Sequence, residues 1–191
     1  MFKQLFNHIK KVSPNYPEED LNNLLRYLEI KKVSKGDILL EAGVVCQVGY
    51  YVVEGCFRYF ITNSDGVQFN TQFSFEDWWV GDMGGLVNKT PSKISIEALE
   101  DSTLLAISST DYNYLLQNSH SFATFKQRLR ARAYESRIDH SIEFHESAEL
   151  RYLNLLTKFP SIIQRVPQYH IASYLGITPE SLSRLRKKIG T

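Results

Sequence analysis

From His120 to His145 the chain reads "HSFATFKQRLRARAYESRIDHSIEFH", with no proline and no glycine in 26 residues. Nothing in it stops a helix. At 1.5 Å per residue it predicts a rod of about 40 Å, longer than a small domain is wide, so the chain on either side must be organised around it. Phe122, Phe125, Leu129 and Ala133 form one apolar stripe. Tyr134, Ile138 and Ile142 continue it, slightly rotated, and Arg128, Arg130, Arg132 and Arg137 lie largely off it. A seam of this kind predicts a dimerisation helix. Packing against the chain's own preceding domain is the alternative.

The two sides of the rod differ. Residues 30–106 carry short β-branched and aromatic runs such as "GDILLEAG", "QVGYYVVEGCFRYFI", "VQFNTQFS", "KISIEALEDS" and "TLLAIS". Turn signals stand between them at Lys35-Gly36, Ala42-Gly43, Asn63-Ser64-Asp65-Gly66 and Glu100-Asp101. That spacing predicts a β barrel, roll or sandwich. Before it, Phe2, Leu5, Phe6 and Ile9 predict an amphipathic helix. After it, "SSTDYNYLLQNS" predicts a short capped one. Charge divides the same way: residues 1–115 hold 10 Lys+Arg against 15 Asp+Glu, and residues 116–191 hold 12 against 6. A near-neutral whole with a basic C-terminal part points to a polyanionic partner for that part alone.

In the basic part, "ESAELRYLNLLTKFP" predicts a helix ended by Pro160, with Leu150, Leu153, Leu156 and Phe159 on one face. The stretch from Gln168 to Leu185, "QYHIASYLGITPESLSRL", is more specific. Ala172 is small where a second helix would cross, and Gly176, four residues on, allows the positive φ of a tight turn. Thr178 can cap the second helix with Pro179 at its first position. Leu182 and Leu185 then fall inward, while Glu180, Ser181, Ser183, Arg184 and Lys187 fall outward. This is a helix-turn-helix pattern, and "RLRKKIG" ends it with four cations in five residues. A basic exposed helix suits the major groove.

A β-roll, a long helix and a C-terminal helix-turn-helix, in that order, resemble the cyclic-AMP receptor protein (CRP/FNR) family of bacterial transcription regulators over nearly the whole chain. Gly36 and Gly43 in "KGDILLEAG", Gly55 in "YYVVEGCFRYF" and Gly81 in "VGDMGG" stand at its glycine landmarks. The resemblance implies an α+β chain. Residues 1–117 would form a cyclic-nucleotide-binding-like jelly roll, 118–146 the dimerisation helix and 147–191 the DNA-binding domain. It implies a homodimer on duplex DNA with an inverted-repeat site, and allows RNA polymerase as a further partner. Pro179, Glu180 and Arg184 would meet base edges, and Thr178, Ser181, Lys187 and Lys188 would support them, Thr178, Ser181 and Lys188 at phosphates.

The loop "GDMGGLVNKTPSKISIEA" resembles the family's phosphate-binding cassette, with Gly81, Asp82, Met83, Gly84, Ser92 and Lys93 as pocket residues. Cyclic-AMP binders carry Gly-Glu there, then Arg eleven residues after the glycine. Here Asp82 is one methylene shorter and Ser92 stands in place of the arginine. Lys93 should point the other way on a strand entry. Without the fork-shaped donor the site loses its strongest contact to phosphate, so cyclic nucleotide is disfavoured as a ligand.

Other chemistries find no pattern. "GGLVNKT" puts Asn88 where a Walker loop needs glycine. His140 and His145 are five apart, about 140° round a helix, so they read as surface residues and not metal ligands. No nucleophile-elbow or zincin motif occurs. Trp78 and Trp79 read as packing at the mouth of the roll, and Cys46 and Cys56 as free thiols, a redox pair being the alternative. No apolar run reaches the roughly 18–20 residues of a bilayer span, and no cleavage site follows the first helix, which places the protein in the cytoplasm. The expectation is a non-enzymatic DNA-binding regulator with an atypical sensor pocket. The alternative is a small-molecule binding module whose helix-turn-helix makes protein contacts.

Overall fold

A strand at the edge of the second of two sheets carries the docking of the C-terminal helices. The computed structural model describes residues 1–143 and 145–190; Phe144 and Thr191 lie outside them. Two helices, α1 (Phe2–Val12) and α2 (Glu18–Leu24), precede the strands β1 (Glu29–Val33), β2 (Ile38–Leu40), β3 (Val48–Glu54), β4 (Phe57–Thr62), β5 (Gln68–Ser74) and β6 (Trp79–Val80). The short α3 (Met83–Asn88) leads to β7 (Ser95–Ala98) and β8 (Ser102–Ser108), then α4 (Ser109–Asn118) and α5 (His120–Glu143). The basic part folds as α6 (Ala148–Lys158), the single turn α7 (Ile162–Arg165), α8 (Gln168–Leu175) and α9 (Pro179–Ile189). The α+β class, the roll, the long helix and the terminal helix pair are as the sequence predicts. The turn α3 and the turn α7 are not legible there: each is too short to show a helical period.

The roll is two antiparallel four-stranded sheets, ordered β1-β8-β3-β6 and β2-β7-β4-β5. Alternation decides their faces. On β4, Phe57 and Tyr59 pair with Ala98 and Ile96 of β7 and point into the main core, while Arg58 pairs with Glu97 on the other face. The outer face of the first sheet is covered by α1 and the first half of α5. Leu5 and Ile9 of α1 are fully buried there, with Phe122 and Phe125 of α5.

The stripe expected along α5 is therefore divided. Phe122 and Phe125 are spent on the chain's own roll and Leu129 packs beside them, whereas Ala133, Ile138 and Ile142 are exposed. The face expected on α6 is divided too. Tyr152 and Leu155 are buried, Leu156 and Phe159 pack against the same core, and Leu150 and Leu153 face outward. The core chooses Tyr152 because an aromatic ring buries more area than a leucine.

That second core is shared. Cys56, Phe73, Phe75 and Leu99 of the roll cluster with Tyr152, Leu155, Ile162, Val166, Ile171 and Leu182 of the C-terminal helices. Phe75 lies 5.1 Å from Phe159 and Phe73 lies 5.4 Å from Tyr174, centroid to centroid. Burial pushes the Cys56 thiol up to about 12, and both cysteines are buried and free.

Gly55, between β3 and β4, takes φ +135°, and a Cβ there would overlap the Ser102 side chain and stand 3.2 Å from its Cα. Gly55→Ala should therefore cost about 3 kcal/mol, part backbone strain and part overpacking. Adding Ser102→Gly should return the steric share alone. Chemical unfolding of the two variants checks this; equal stability of Gly55→Ala and the parent would contradict it.

Candidate nucleic-acid interface and sensor cassette

The helix pair is assembled as its residue types dictate. Gly176 ends α8 at φ +65°, where its N–H and that of Ile177 return to Ser173 O at 3.1 Å and Ala172 O at 3.0 Å. The Thr178 side chain accepts from Ser181 N at 3.2 Å and so caps α9, with Pro179 at the first position. Ala172 and Leu182 are fully buried where the helices cross. Pro179, Glu180, Ser183, Arg184, Lys187 and Lys188 are exposed; Ser181 and Leu185 are half-buried. Hydrogen bonds from its own backbone N–H and from Thr178 hold the Glu180 carboxyl below its usual range, so it is an acceptor at neutral pH. Arg184 donates to Ser181 Oγ at 3.3 Å, and Lys188 pairs with Glu149 of α6 at 2.5 Å. Both pairs are exposed and cheap to break. Arg186, counted among the basic residues of the sequence, is half-buried.

The cassette keeps its fold. Gly81 adopts φ +136°, a backbone conformation that strains any residue with a Cβ, and such a Cβ would also push Met83 Cε aside from 2.5 Å. Its N–H donates to Tyr59 Oη at 3.2 Å. Asp82 accepts from Gly85 N at 2.9 Å and caps α3. Ser92 is buried, and its Oγ serves Ile94 on both sides, donating to the carbonyl at 3.0 Å and accepting from the amide at 3.2 Å. Lys93 is exposed, as the strand entry predicts, and Lys89 is exposed as well. Burial pushes the Tyr59 phenol up to about 12. Gly81, Asp82 and Met83 are half-buried and Ser92 is buried, bonded through its backbone to Gly43 and Val44, while Gly84 and Lys93 are on the surface.

Sequence reasoning missed a buried polar chain on the outer face of the second sheet. Arg58 is 5% exposed and bonds Glu97, Gln68 Oε1 at 2.7 Å and Asn70 Oδ1 at 3.1 Å. Asn70 Nδ2 in turn donates to His170 O at 3.0 Å and to His170 Nδ1 at 3.1 Å. An amide nitrogen has no lone pair to offer, so Nδ1 must be unprotonated. The one available signal was Arg58 itself, a lone cation in the aromatic run "CFRYFI". His140, read as a surface residue, is half-buried instead and stacks on Tyr174 at 4.9 Å. Trp79 packs on Tyr51 and Phe125, and Trp78 on Phe159. Among the described residues no cluster of His, Cys, Asp or Glu could hold a metal, and no helix is long and apolar enough to cross a membrane.

Desolvation, then the nearby Arg58 guanidinium, lowers His170 to about 4. Unfolded, the same imidazole takes its proton near pH 6.5. The unfolded chain thus binds the extra proton between those values, and stability present above pH 6.5 is lost as pH falls towards 4. The share due to His170 is at most about 3 kcal/mol. His8, also lowered by burial, adds in the same direction. His170→Asn, which keeps an acceptor for Asn70, should flatten the fall in melting temperature between about pH 7 and about pH 5. A profile as steep as the parent's would place the loss elsewhere.

The profile of the cyclic nucleotide-binding domain family matches residues 30–119. FixK2 from Bradyrhizobium japonicum superposes with a TM-score of 0.72 at 18% identity, over 85% of this chain and 84% of that one. A candidate transcriptional regulator of the CRP/FNR family from Eubacterium rectale gives 0.72 at 17%, over 93% and 85%. The c-di-GMP-responsive global regulator CLP of Xanthomonas campestris gives 0.70 at 16%, over 91% and 92%. No curated protein matches the chain by sequence.

Proposed function

We propose that this chain, which has the fold of the CRP/FNR regulators and a cyclic nucleotide-binding domain at residues 30–119, is a dimeric, sequence-specific DNA-binding transcription regulator whose cassette does not take cyclic AMP. The observation that carries the reading is the open outer face of α9. Its partner α8 is covered by the roll, so the basic face of α9 is what the helix pair leaves free for a partner. Residues 150–191 carry seven Lys+Arg against the single acid Glu180. A surface of that sign favours a polyanion over a protein partner.

Dimerisation would use the second half of α5. Tyr134, Ile138 and Ile142, spaced four apart, are 68%, 44% and 61% exposed, and Leu150 and Leu153 of α6 are exposed too. A second copy of the same helix is the occupant that repeats this face. Two recognition helices related by a two-fold axis call for an inverted repeat with half-sites whole turns apart.

In the cassette, the groups that would meet a nucleotide are engaged by the protein. Asp82 caps α3, Ser92 closes on Ile94, and Tyr59 holds Gly81. Without an arginine, a phosphate entering here would have to break these bonds and gain no fork-shaped partner. Millimolar cyclic AMP should leave the melting temperature unchanged. A ligand at about 100 times its dissociation constant would add about 2.7 kcal/mol, so a clear upward shift would refute the empty-cassette reading.

At the DNA, Arg184 can fork onto a guanine, Glu180 can accept from a cytosine amino group, and Pro179 can only touch a thymine methyl. Lys187 and Lys188 lie further along the helix, with phosphates in reach. Selection from random duplexes should enrich an inverted repeat. Arg184→Ala should cost about 1–3 kcal/mol and relax one base pair per half-site, while Lys188→Ala should weaken all sequences alike and flatten the salt slope by about one. No enriched repeat, or an Arg184→Ala loss equal on every sequence, would reduce Arg184 to a phosphate contact.

A further inference from the structure

The C-terminal helices are held by directional contacts at three places, two on the roll and one on α5. At the first, Asn70 of β5 receives Arg58 on its oxygen and spends both amide hydrogens on His170 of α8, while its backbone N–H donates to Ser173 Oγ at 3.0 Å. At the second, Arg165 of α7 forks onto Glu76 at 2.8 and 2.7 Å and also bonds Glu100, with its guanidinium 5.2 Å from the Phe75 ring centre. Glu76 is itself held by Gly55 N at 2.9 Å. At the third, Tyr174 of α8 stacks on His140 of α5, with Oη and Nδ1 3.2 Å apart.

The shared apolar core holds these helices against the roll but does not set their angle, because burial is non-directional. Hydrogen bonds do. The Asn70 amide can keep its three partners only if α8 sits in one register against β5, and a one-turn slide would leave both of its hydrogens unmet in a buried site. The Arg165 fork is as demanding. Buried polar pairs add little net stability, but they select one arrangement among several of similar apolar burial. Three separate anchors remove rotation as well as sliding. α9 is packed on α8 through Ala172 and Leu182, so its angle follows.

We propose that Asn70, Glu76 and Glu100 of the roll are positioning residues of the DNA reader: they fix the angle at which α9 is presented, so that half-site spacing is selected without any effector. This rests on the DNA-binding reading, and two separate measurements keep the two apart.

The first needs no DNA. Spin labels at Asp65→Cys, on the tip of the β4–β5 turn, and Lys187→Cys, on α9, report the roll-to-reader distance; both positions are exposed, and the native Cys46 and Cys56 are buried. Pulsed electron resonance on the full chain should give one narrow distance, unchanged by cyclic AMP. Asn70→Ala and Arg165→Ala should broaden it while retaining a cooperative melt. Arg165→Lys, which keeps the charge and loses the fork, should broaden it partially. A broad distribution in the parent, or no change in either alanine variant, overturns the proposal. If Asn70→Ala does not fold, Arg165→Ala and the Glu76→Gln, Glu100→Gln pair decide it.

The second uses the repeat obtained by selection, with its spacing altered by one base pair. The parent should discriminate by about tenfold or more, and the variants by much less, with affinity for a single half-site kept. Discrimination equal to the parent's in variants whose distance has broadened also overturns the proposal. If the parent enriches no duplex, the DNA reading fails, and the anchors stand or fall on the distance distribution alone.

Discussion

Strand β5 buries Asn70, Phe73 and Ser74 although it is the edge of its sheet, and much of the remaining structure follows from how those residues are covered. Its pairing with β4 closes the second sheet, and its outer face is where α8 docks. A strand covered on one face alternates apolar and polar residues, and "QFNTQFS" does so. The polar residues of this strand do not all face water. Asn70 is 6% exposed and is satisfied on every side by Arg58 and His170, because an unpaired amide in that position would cost more than the contact returns. The register shift between Tyr59 and Phe60 on β4 sets Phe60 opposite Asn70 on this face. Arg58 stacks 4.0 Å over the Phe60 ring, so the guanidinium is packed as well as paired.

Strand β4 joins the two functional regions through neighbouring residues. Tyr59 points inward and holds the cassette glycine, and Arg58 points outward and holds Asn70. Glu97 on β7, at the end of the cassette segment, completes the pair with Arg58. Here the cassette is bonded to itself and the anchor is fully paired, so both faces of β4 favour one arrangement. The bond that holds Gly81 and the bond that holds Asn70 thus start from adjacent residues of one strand.

The sequence showed the parts whose cause is local. A proline-free run makes α5, Gly176 makes the turn, Thr178 and Pro179 start α9, and β-branched alternation makes the sheets. It also placed Ser92 at the cassette position where the resemblance expects an arginine, and the structure buries that serine. It did not show the docking. The polar face of β5 reads as solvated, and His170 reads as an ordinary residue of a first helix; only their meeting across about a hundred residues makes a buried pair of them. Nor did it show that Tyr152, rather than the leucines beside it, turns inward, since two faces of α6 are apolar and the choice belongs to the partner surface.

The long helix illustrates the same limit from the other side. A single stripe from Phe122 to Ile142 requires one partner along the whole length. The first half of α5 has its partner in the roll, where it buries even an ammonium: Lys126 lies 3.6 Å over the Trp79 ring and close to Tyr112, Phe122 and Phe125, and desolvation lowers its pKa well below the ordinary value. The roll stops supporting the helix beyond Leu129, and from there the apolar positions shift round to Tyr134, Ile138 and Ile142. A helix that changes partner along its length must change face, because a straight rod cannot present one stripe to two bodies lying on different sides. The slight rotation visible in the sequence marks that change of partner. It divides α5 into a half packed on the roll and a half that touches the C-terminal helices at Ser136 and His140 and leaves Tyr134, Ile138 and Ile142 exposed.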